Sequence, residues 1–75
     1  MTRQGKLDLK AMGRNIQKLR MARGLSQAEL ARKTGCSAQH ISRLERGLCG
    51  MSVGVFMGLC RELVCMPSDL LDGAE

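Results

Sequence analysis

Two side chains four residues apart, Gln39 and Arg43, have the chemistry to bind the edges of nucleic-acid bases. A glutamine amide donates and accepts at once, which matches adenine N6 and N7, and an arginine guanidinium offers two parallel donors that fit guanine O6 and N7. On an α-helix this spacing places both side chains on one face. The chain must then supply a helix here and neighbouring elements that position it.

The residues around this pair predict two short helices that meet at Gly35. Ser26 and Glu29 form a capping box, in which each side chain can bond the backbone amide of the other residue, and this marks the start of the first helix. Gly35 suits the positive φ that ends a helix, Ser37 can cap the second helix, and Gly47 follows its end. A short helix, a glycine turn and a second short helix are the sequence signature of a helix-turn-helix.

Three further helices complete a predicted compact all-α fold of five helices, with the helix-turn-helix at helices 2 and 3. Helix 1 should run over about 8–22, because its apolar residues repeat at intervals of three and four. Ser52 can cap helix 4, which should reach about residue 63, and Pro67 is suited to the first position of helix 5.

The periodic part of the chain defines the predicted domain. Residues 1–6 are polar and aperiodic and should form a flexible N-terminal arm, and residues 7–72 should form a single domain. Residues 73–75 should be a tail without ordered structure.

Charge is unevenly distributed along the 75 residues, which carry a formal net charge of +5. Residues 1–46 hold eleven of the twelve Lys and Arg residues and three of the seven acids, whereas residues 47–75 hold one base and four acids. The first two-thirds of the chain therefore suits a polyanionic partner such as double-stranded DNA. A solvated basic face without a partner is the alternative, and charge alone does not decide between them.

Composition and spacing argue against catalysis, metals and cofactors. The chain has no grouping of nucleophile and base outside the outward residues of the segment Ala38–Arg43 and no phosphate-cradling glycine loop, so we expect it not to be an enzyme. Its four cysteines are separated by 12, 10 and 4 residues, contain no CxxC pair, and accompany a single histidine. No metal or cofactor is predicted, and a structural metal or a redox sensor is kept only as a minor alternative.

No segment predicts secretion or membrane insertion. The N-terminus has no apolar stretch typical of a signal peptide, and the uncharged run 47–60 is shorter than the roughly 20 residues that span a bilayer. A cytoplasmic location without membrane association is expected.

With its helix 2 and helix 3 signals in place, the chain resembles the Cro and lambda-repressor family of bacterial and phage regulators, also called Xre-like. The resemblance covers about residues 9–72. The matching residues are Arg20, Gly24–Gln27, Glu29–Ala31, Gly35–Ser37, Ile41–Ser42 and Leu44–Gly47. It implies sequence-specific binding of double-stranded DNA as a repressor-like transcriptional regulator.

The family docking geometry implies a set of DNA-contacting residues, with helix 3 in the major groove and helix 2 crossing the phosphate backbone. The residues are Ser26, Gln27, Ser37, Ala38, Gln39, His40, Ser42, Arg43 and Arg46. Ser26, Gln27 and Arg46 are expected at phosphates, although Ser26 would also serve as a cap. Many relatives carry a long polar residue in place of Ala38, whose methyl group could contact only a thymine methyl. His40 is open to three interpretations: a DNA contact, a core histidine or a metal ligand.

The resemblance also implies structural roles for several residues. Arg20 and Glu45 should form a partly buried ion pair between helix 1 and the end of helix 3. Three cysteines fall at core positions of the family, namely Cys36, Cys60 and Cys65. Cys49 alone should be exposed.

After Gly47 the chain departs from the family, because the loop before helix 4 has no Lys or Arg where several relatives have one. The same region is apolar on nearly every side, which is unusual for a surface helix. A homodimer interface is predicted there, and its residues are Leu48, Met51, Val53 and Met57. The alternatives are that the monomer core takes these residues, or that the surface binds another protein, as in an antitoxin-type interaction module.

Overall fold

The computed structural model describes residues 7–75, which form five α-helices and no strand. The helices are α1 (Leu9–Ala22), α2 (Gln27–Thr34), α3 (Ala38–Glu45), α4 (Val53–Leu63) and α5 (Pro67–Leu71). The predicted all-α fold with five helices is therefore confirmed. The predicted arm, residues 1–6, lies outside the described residues.

Local side-chain caps set the starts of the first four helices. Asp8, Ser26, Ser37 and Ser52 each accept a hydrogen bond from a backbone amide in the first turn of the helix that follows. These bonds satisfy amides that have no partner within the helix. Each cap involves residues two or three apart in the chain, which is why the helix starts can be located from sequence.

The core draws a fully buried side chain from every helix. These side chains are Ile16, Leu30, Ile41, Leu44, Leu59, Leu63 and Leu70. α2 packs against α3 and α4, while α1 packs against α3 and α5, so α3 is held from two directions by the rest of the domain. The side of α3 that faces away from these helices is accessible to solvent.

Gly13 lets α1 approach the C-terminal end of α3 closely. A Cβ atom at this position would lie 2.5 Å from the Glu45 carbonyl oxygen and closer still to that of Leu44. Both neighbours are backbone atoms at the end of a helix, so they cannot rotate away as a flexible side chain could. The close approach of α1 to α3 therefore requires glycine.

The C-terminal residues pack against the start of α1, which corrects the expectation of an unordered tail. Ala74 is 1% exposed, and its carbonyl oxygen accepts from the Asp8 amide at 2.7 Å. The Asn15 side-chain amide adds bonds to the carbonyl oxygens of Leu70 and Asp72, at 2.9 and 2.8 Å. These partners are more than fifty residues apart in the chain, so no local periodicity reveals the packing.

The cysteine expectations hold only in part. Cys60 is buried in the core, whereas Cys36 and Cys65 are half-buried against it. Cys49, predicted to be exposed, is also half-buried and packs against the core. Cys49, in the loop after Gly47, therefore packs closer to the core than the sequence analysis predicted.

Candidate nucleic-acid interface

A tight glycine turn joins α2 to α3. Gly35 has φ +77°, and the amide of Cys36 donates to the carbonyl oxygen of Ala31 at 3.0 Å, which ends α2 within one residue. Ser37 then caps α3 by accepting from the His40 amide at 3.0 Å. Because Ala31 is small and 2% exposed, the two helices can pack closely at the turn.

The side of α3 that faces away from the core carries the residues predicted to contact bases. Gln39 and Arg43 are both exposed, whereas Ile41 and Leu44 on the opposite side are fully buried. The structure thus places the two base-binding candidates together on one accessible face of a helix whose other face is fixed. We call this the α3 outer face, and its residues are Ala38, Gln39, His40, Ser42 and Arg43.

The other members of the α3 outer face differ in accessibility. Ala38 is exposed at the first position of the helix, while His40 and Ser42 are half-buried on its flanks. Ser37 is exposed beside Ala38, and because its hydroxyl oxygen accepts the capping bond, its hydroxyl hydrogen is available to a phosphate oxygen. The N-terminal end of α3 is therefore accessible.

Arg20 and Glu45 form the ion pair that joins α1 to the end of α3. Arg20 Nε lies 2.6 Å from Glu45 Oε2, and Arg20 Nη2 donates to Glu45 Oε1 at 3.1 Å. The side chains are 12% and 2% exposed. Arg20 Nη1 also donates to the Leu25 carbonyl oxygen at 2.8 Å, so the same guanidinium fixes the entry to α2. A charge pair this buried stabilises the fold only when its polar atoms are all bonded, as they are here.

Gln27 takes part in this network, which the sequence did not indicate. Its Nε2 donates to Glu45 Oε1 at 2.9 Å, so Glu45 accepts three side-chain bonds in all. The bond orients the Gln27 amide and leaves its second N–H hydrogen free. Gln27 and Glu45 are eighteen residues apart, and a glutamine at the first position of a helix has no pattern that predicts such a partner.

Ser26 has the capping role expected of it and remains exposed. Its Oγ accepts from the Glu29 amide at 3.0 Å, and its own amide donates to Glu29 Oε1 at 2.8 Å. The hydrogen bond from the Ser26 backbone amide, together with the Ser26 side chain, lowers the pKa of Glu29 from its ordinary value. The Ser26 hydroxyl therefore lies at the exposed start of α2, where its oxygen accepts the capping bond.

Arg46 lies just after the end of α3 and is exposed. Its Nε makes a long bond of 3.4 Å to the Ser42 carbonyl oxygen, which directs the guanidinium back along α3. Most of its five donors remain available. Exposed basic side chains thus lie at the C-terminal end of α3 as well as on its outer face.

The residues predicted to form a dimer interface divide into two groups. Leu48, Val53 and Met57 are 56%, 78% and 49% exposed, which is high for large apolar side chains. Met51 is half-buried and lines an apolar groove of about 330 Å³ with Leu9 and other residues of α1, α4 and α5. The monomer core therefore takes Met51 in part but leaves the other three to solvent.

The cysteines at the end of α4 are poorly suited to thiolate chemistry. Burial raises the pKa of the Cys65 thiol to about 11, and burial likewise raises the pKa of Cys60. Both groups stay protonated near neutral pH, and the thiolate is the reactive form.

Among residues 7–75, no group of three or more His, Cys, Asp or Glu side chains is arranged to hold a metal ion. Over the same range, no helix is long and apolar enough to cross a membrane.

The two helices, their glycine turn and the exposed outer face of the second helix define the helix-turn-helix class of protein. A family model described as a helix-turn-helix domain matches residues 11–71, and the chain belongs to that family. The comparison with curated protein sequences gives no match.

Solved structures agree with this assignment along most of their length. The restriction-modification controller protein C.AhdI from Aeromonas hydrophila is 33% identical, with a TM-score of 0.80 over 84% of this chain and 96% of its own. The P22 c2 repressor bound to a synthetic operator is 32% identical, with a TM-score of 0.78 over 83% of this chain and 94% of its own. SinR, a master regulator for biofilm formation solved in complex with DNA, is 31% identical, with a TM-score of 0.76 over 81% of this chain and 98% of its own.

These neighbours confirm the resemblance to lambda-repressor-like regulators that the sequence motif indicated. A controller protein, a repressor and a master regulator are regulators rather than enzymes.

Proposed function

We propose that this protein is a transcriptional regulator that binds double-stranded DNA in a sequence-specific way, most simply as a repressor. The observation that carries the proposal is the α3 outer face, where Gln39 and Arg43 are exposed on a helix whose opposite side is packed in the core. Two of the similar structures, the P22 c2 repressor and SinR, were solved with DNA. Such a regulator acts in the compartment that holds the DNA, in line with the predicted cytoplasmic location.

In the proposed complex the N-terminal end of α3 enters the major groove. Gln39 and Arg43 contact base edges by paired hydrogen bonds, and Ala38 offers a methyl group to thymine. His40 and Ser42 contact base edges or the sugar-phosphate flank. Each paired contact discriminates against a wrong base by about 1–3 kcal/mol.

Four residues contact phosphates in the same complex and fix the register of α3. Ser26 and Gln27 lie at the start of α2, where unpaired amides and the helix dipole attract an anion. The bond to Glu45 orients the Gln27 side-chain amide, whose free N–H hydrogen is donated to the phosphate. Because Arg20 holds the Glu45 carboxylate in place, the ion pair contributes indirectly to DNA binding. Arg46 approaches a phosphate at the other end of α3, and Ser37 donates its hydroxyl hydrogen to a further one.

The proposed functional unit is a homodimer on a palindromic operator, with half-sites about one helical turn apart. Exposed Leu48, Val53 and Met57 support a covered surface at the start of α4, because exposed apolar patches are uncommon on monomers. The same surface favours a second candidate, an antitoxin-type module that binds another protein there. A stable heterologous complex without self-association would favour the second candidate.

Selection of bound sites from random duplex DNA tests the proposed function directly. We expect an enriched palindrome whose halves are about one helical turn apart, and an affinity that falls steeply with salt as counterions are released. A protein that enriches no sequence, or binds the selected site no better than random duplex, would contradict it.

Arg43→Ala is the matching test at a single residue. Loss of a paired contact should reduce discrimination at one base position in each half-site by about 1–3 kcal/mol, while leaving other positions unchanged. Competition binding against a panel of single-base operator variants measures the effect. The control is Arg32→Ala, which removes an exposed basic side chain from the last turn of α2. This variant should keep the wild-type preference for particular DNA base pairs.

A further inference from the structure

The loop that follows α3 has no cationic side chain of its own, since residues 47–52 read GLCGMS. In the proposed complex α3 contacts bases with its N-terminal residues, so its C-terminal end leaves the groove. With eight residues and a rise of 1.5 Å each, that end lies about 12 Å from the first contact, near the phosphates that border the groove. The loop thus approaches phosphates without a Lys or Arg to bind them.

Lys10 of α1 is packed directly against this loop. A Cβ atom at Gly47 would lie 2.6 Å from Lys10 Cγ and 2.7 Å from Lys10 Cα, and Gly47 has φ +74°. The backbone and the first side-chain carbons of Lys10 therefore lie on the Gly47 turn, where only glycine leaves room for them. Lys10 is exposed, so its ammonium extends from this turn into solvent.

Two contacts farther along α1 hold Lys10 in this position. Gly13, three residues on, brings α1 against the carbonyl groups that end α3, and Arg20 pairs with Glu45 at the same end. α1 cannot slide along α3 without breaking a buried ion pair or creating a backbone clash. Lys10 is thus fixed relative to α3 although it belongs to another helix.

We propose that Lys10 supplies the phosphate contact that the loop after α3 lacks. It would bind the backbone beside the loop at the C-terminal end of α3, in addition to Arg46, while Ser26 and Gln27 bind it at the start of α2. The inference rests on the proposed function and adds a residue from α1 to the DNA-contacting set. The competing role for Lys10 is to balance the partial negative charge at the end of α3, which is a stabilising effect without DNA.

The test compares Lys10→Gln with the wild-type 75-residue chain. Glutamine keeps the Cα and Cγ atoms that pack on Gly47 and replaces the charged ammonium by a shorter, neutral amide. We expect the slope of log K against log salt concentration to become shallower by roughly 0.9, the value for one phosphate contact on duplex DNA. The ratio of wild-type to variant affinity should then shrink about 3- to 4-fold between 50 and 200 mM salt, equally on selected and random DNA.

Lys18→Gln is the matched control. Lys18 is also exposed on α1, but it lines a surface cleft with Asp69 and Asp72 near α5. Its removal changes the net charge by the same amount without removing a charge at the Gly47 turn. A slope change of the same size in both variants would overturn the inference, because it would report net charge alone.

Two further measurements separate the possible outcomes. If Lys10→Gln lowers the melting temperature and leaves the salt slope unchanged, Lys10 serves the end of α3 and the inference is overturned. If the wild-type protein shows no sequence preference, the proposed function fails, and the salt slope on random duplex still decides whether Lys10 contacts phosphate.

Discussion

Glu45 is the residue on which three parts of the domain converge. Its carboxylate accepts from Arg20 in α1 and from Gln27 in α2, while its own backbone lies against Gly13. Because the side chain is 2% exposed, its charge is stabilised by these protein partners and not by bulk water. The buried Glu45 carboxylate therefore contributes both to the stability of the fold and to the orientation of Gln27, a proposed phosphate contact.

Arg20→Met should lower the free energy of unfolding by about 3–5 kcal/mol, because it leaves the Glu45 charge buried without its main partner. The double variant Arg20→Met with Glu45→Leu should lose much less, since no unpaired charge remains. Urea denaturation of both variants measures the difference. Equal losses in the two variants would show that the cost is one of packing and not of an uncompensated charge.

At the scale of helices, the glycines buried in α1 and α4 differ in the space around them. Gly13 faces backbone carbonyl groups that leave no space for a Cβ, whereas a Cβ at Gly58 would meet Thr34 at 3.9 Å, an ordinary contact. Both are buried and both lie within a helix. Helix propensity alone would treat them alike, and the neighbouring element distinguishes them.

We therefore expect Gly13→Ala and Gly58→Ala to change the free energy of unfolding in opposite directions. Alanine is favoured over glycine by about 1 kcal/mol inside a helix, so Gly58→Ala should raise the free energy of unfolding by up to that amount. Gly13→Ala should lower it in spite of the same gain, because α1 must move away from α3. Thermal or urea unfolding decides, and stabilisation by Gly13→Ala would contradict the close approach of the two helices.

For the molecule as a whole, the basic residues and most of the exposed large apolar side chains occupy different segments of the chain, although Leu7 and Met21 are exposed within the basic segment. The basic residues belong mainly to residues 1–46, which include α1 to α3, whereas the exposed apolar side chains Leu48, Val53 and Met57 follow α3. This separation suits a unit that binds DNA through one region and a second copy through another. The two functions can then be altered separately.

Val53→Glu should weaken self-association without unfolding the monomer. Val53 is 78% exposed, so a charge there costs the isolated domain little but would be buried in the proposed dimer. Sedimentation equilibrium measures the dissociation constant. Met21→Glu is the control, because Met21 is 63% exposed at the end of α1 and lies outside the proposed interface. A wild-type chain that stays monomeric while it binds a palindromic site would contradict the dimer.

Interactions between residues close in the chain made much of this molecule predictable from sequence alone. The four side-chain caps, the turn at Gly35 and the exposed placement of Gln39 and Arg43 depend on bonds and periodicities within a few residues. The capping box at Ser26 is the clearest example. Such signals locate helices and their outward faces, and together with the family motif they indicated the fold and the class of partner.

Tertiary structure alone decided which of these elements touch and through which atoms. The bond from Gln27 to Glu45, the packing of Lys10 on Gly47 and the burial of Ala74 join residues that are far apart in the chain. No local pattern encodes them, because each depends on the distance and angle at which two helices meet. Those distances are set by the packing of the entire core, and they determine how the α3 outer face is held.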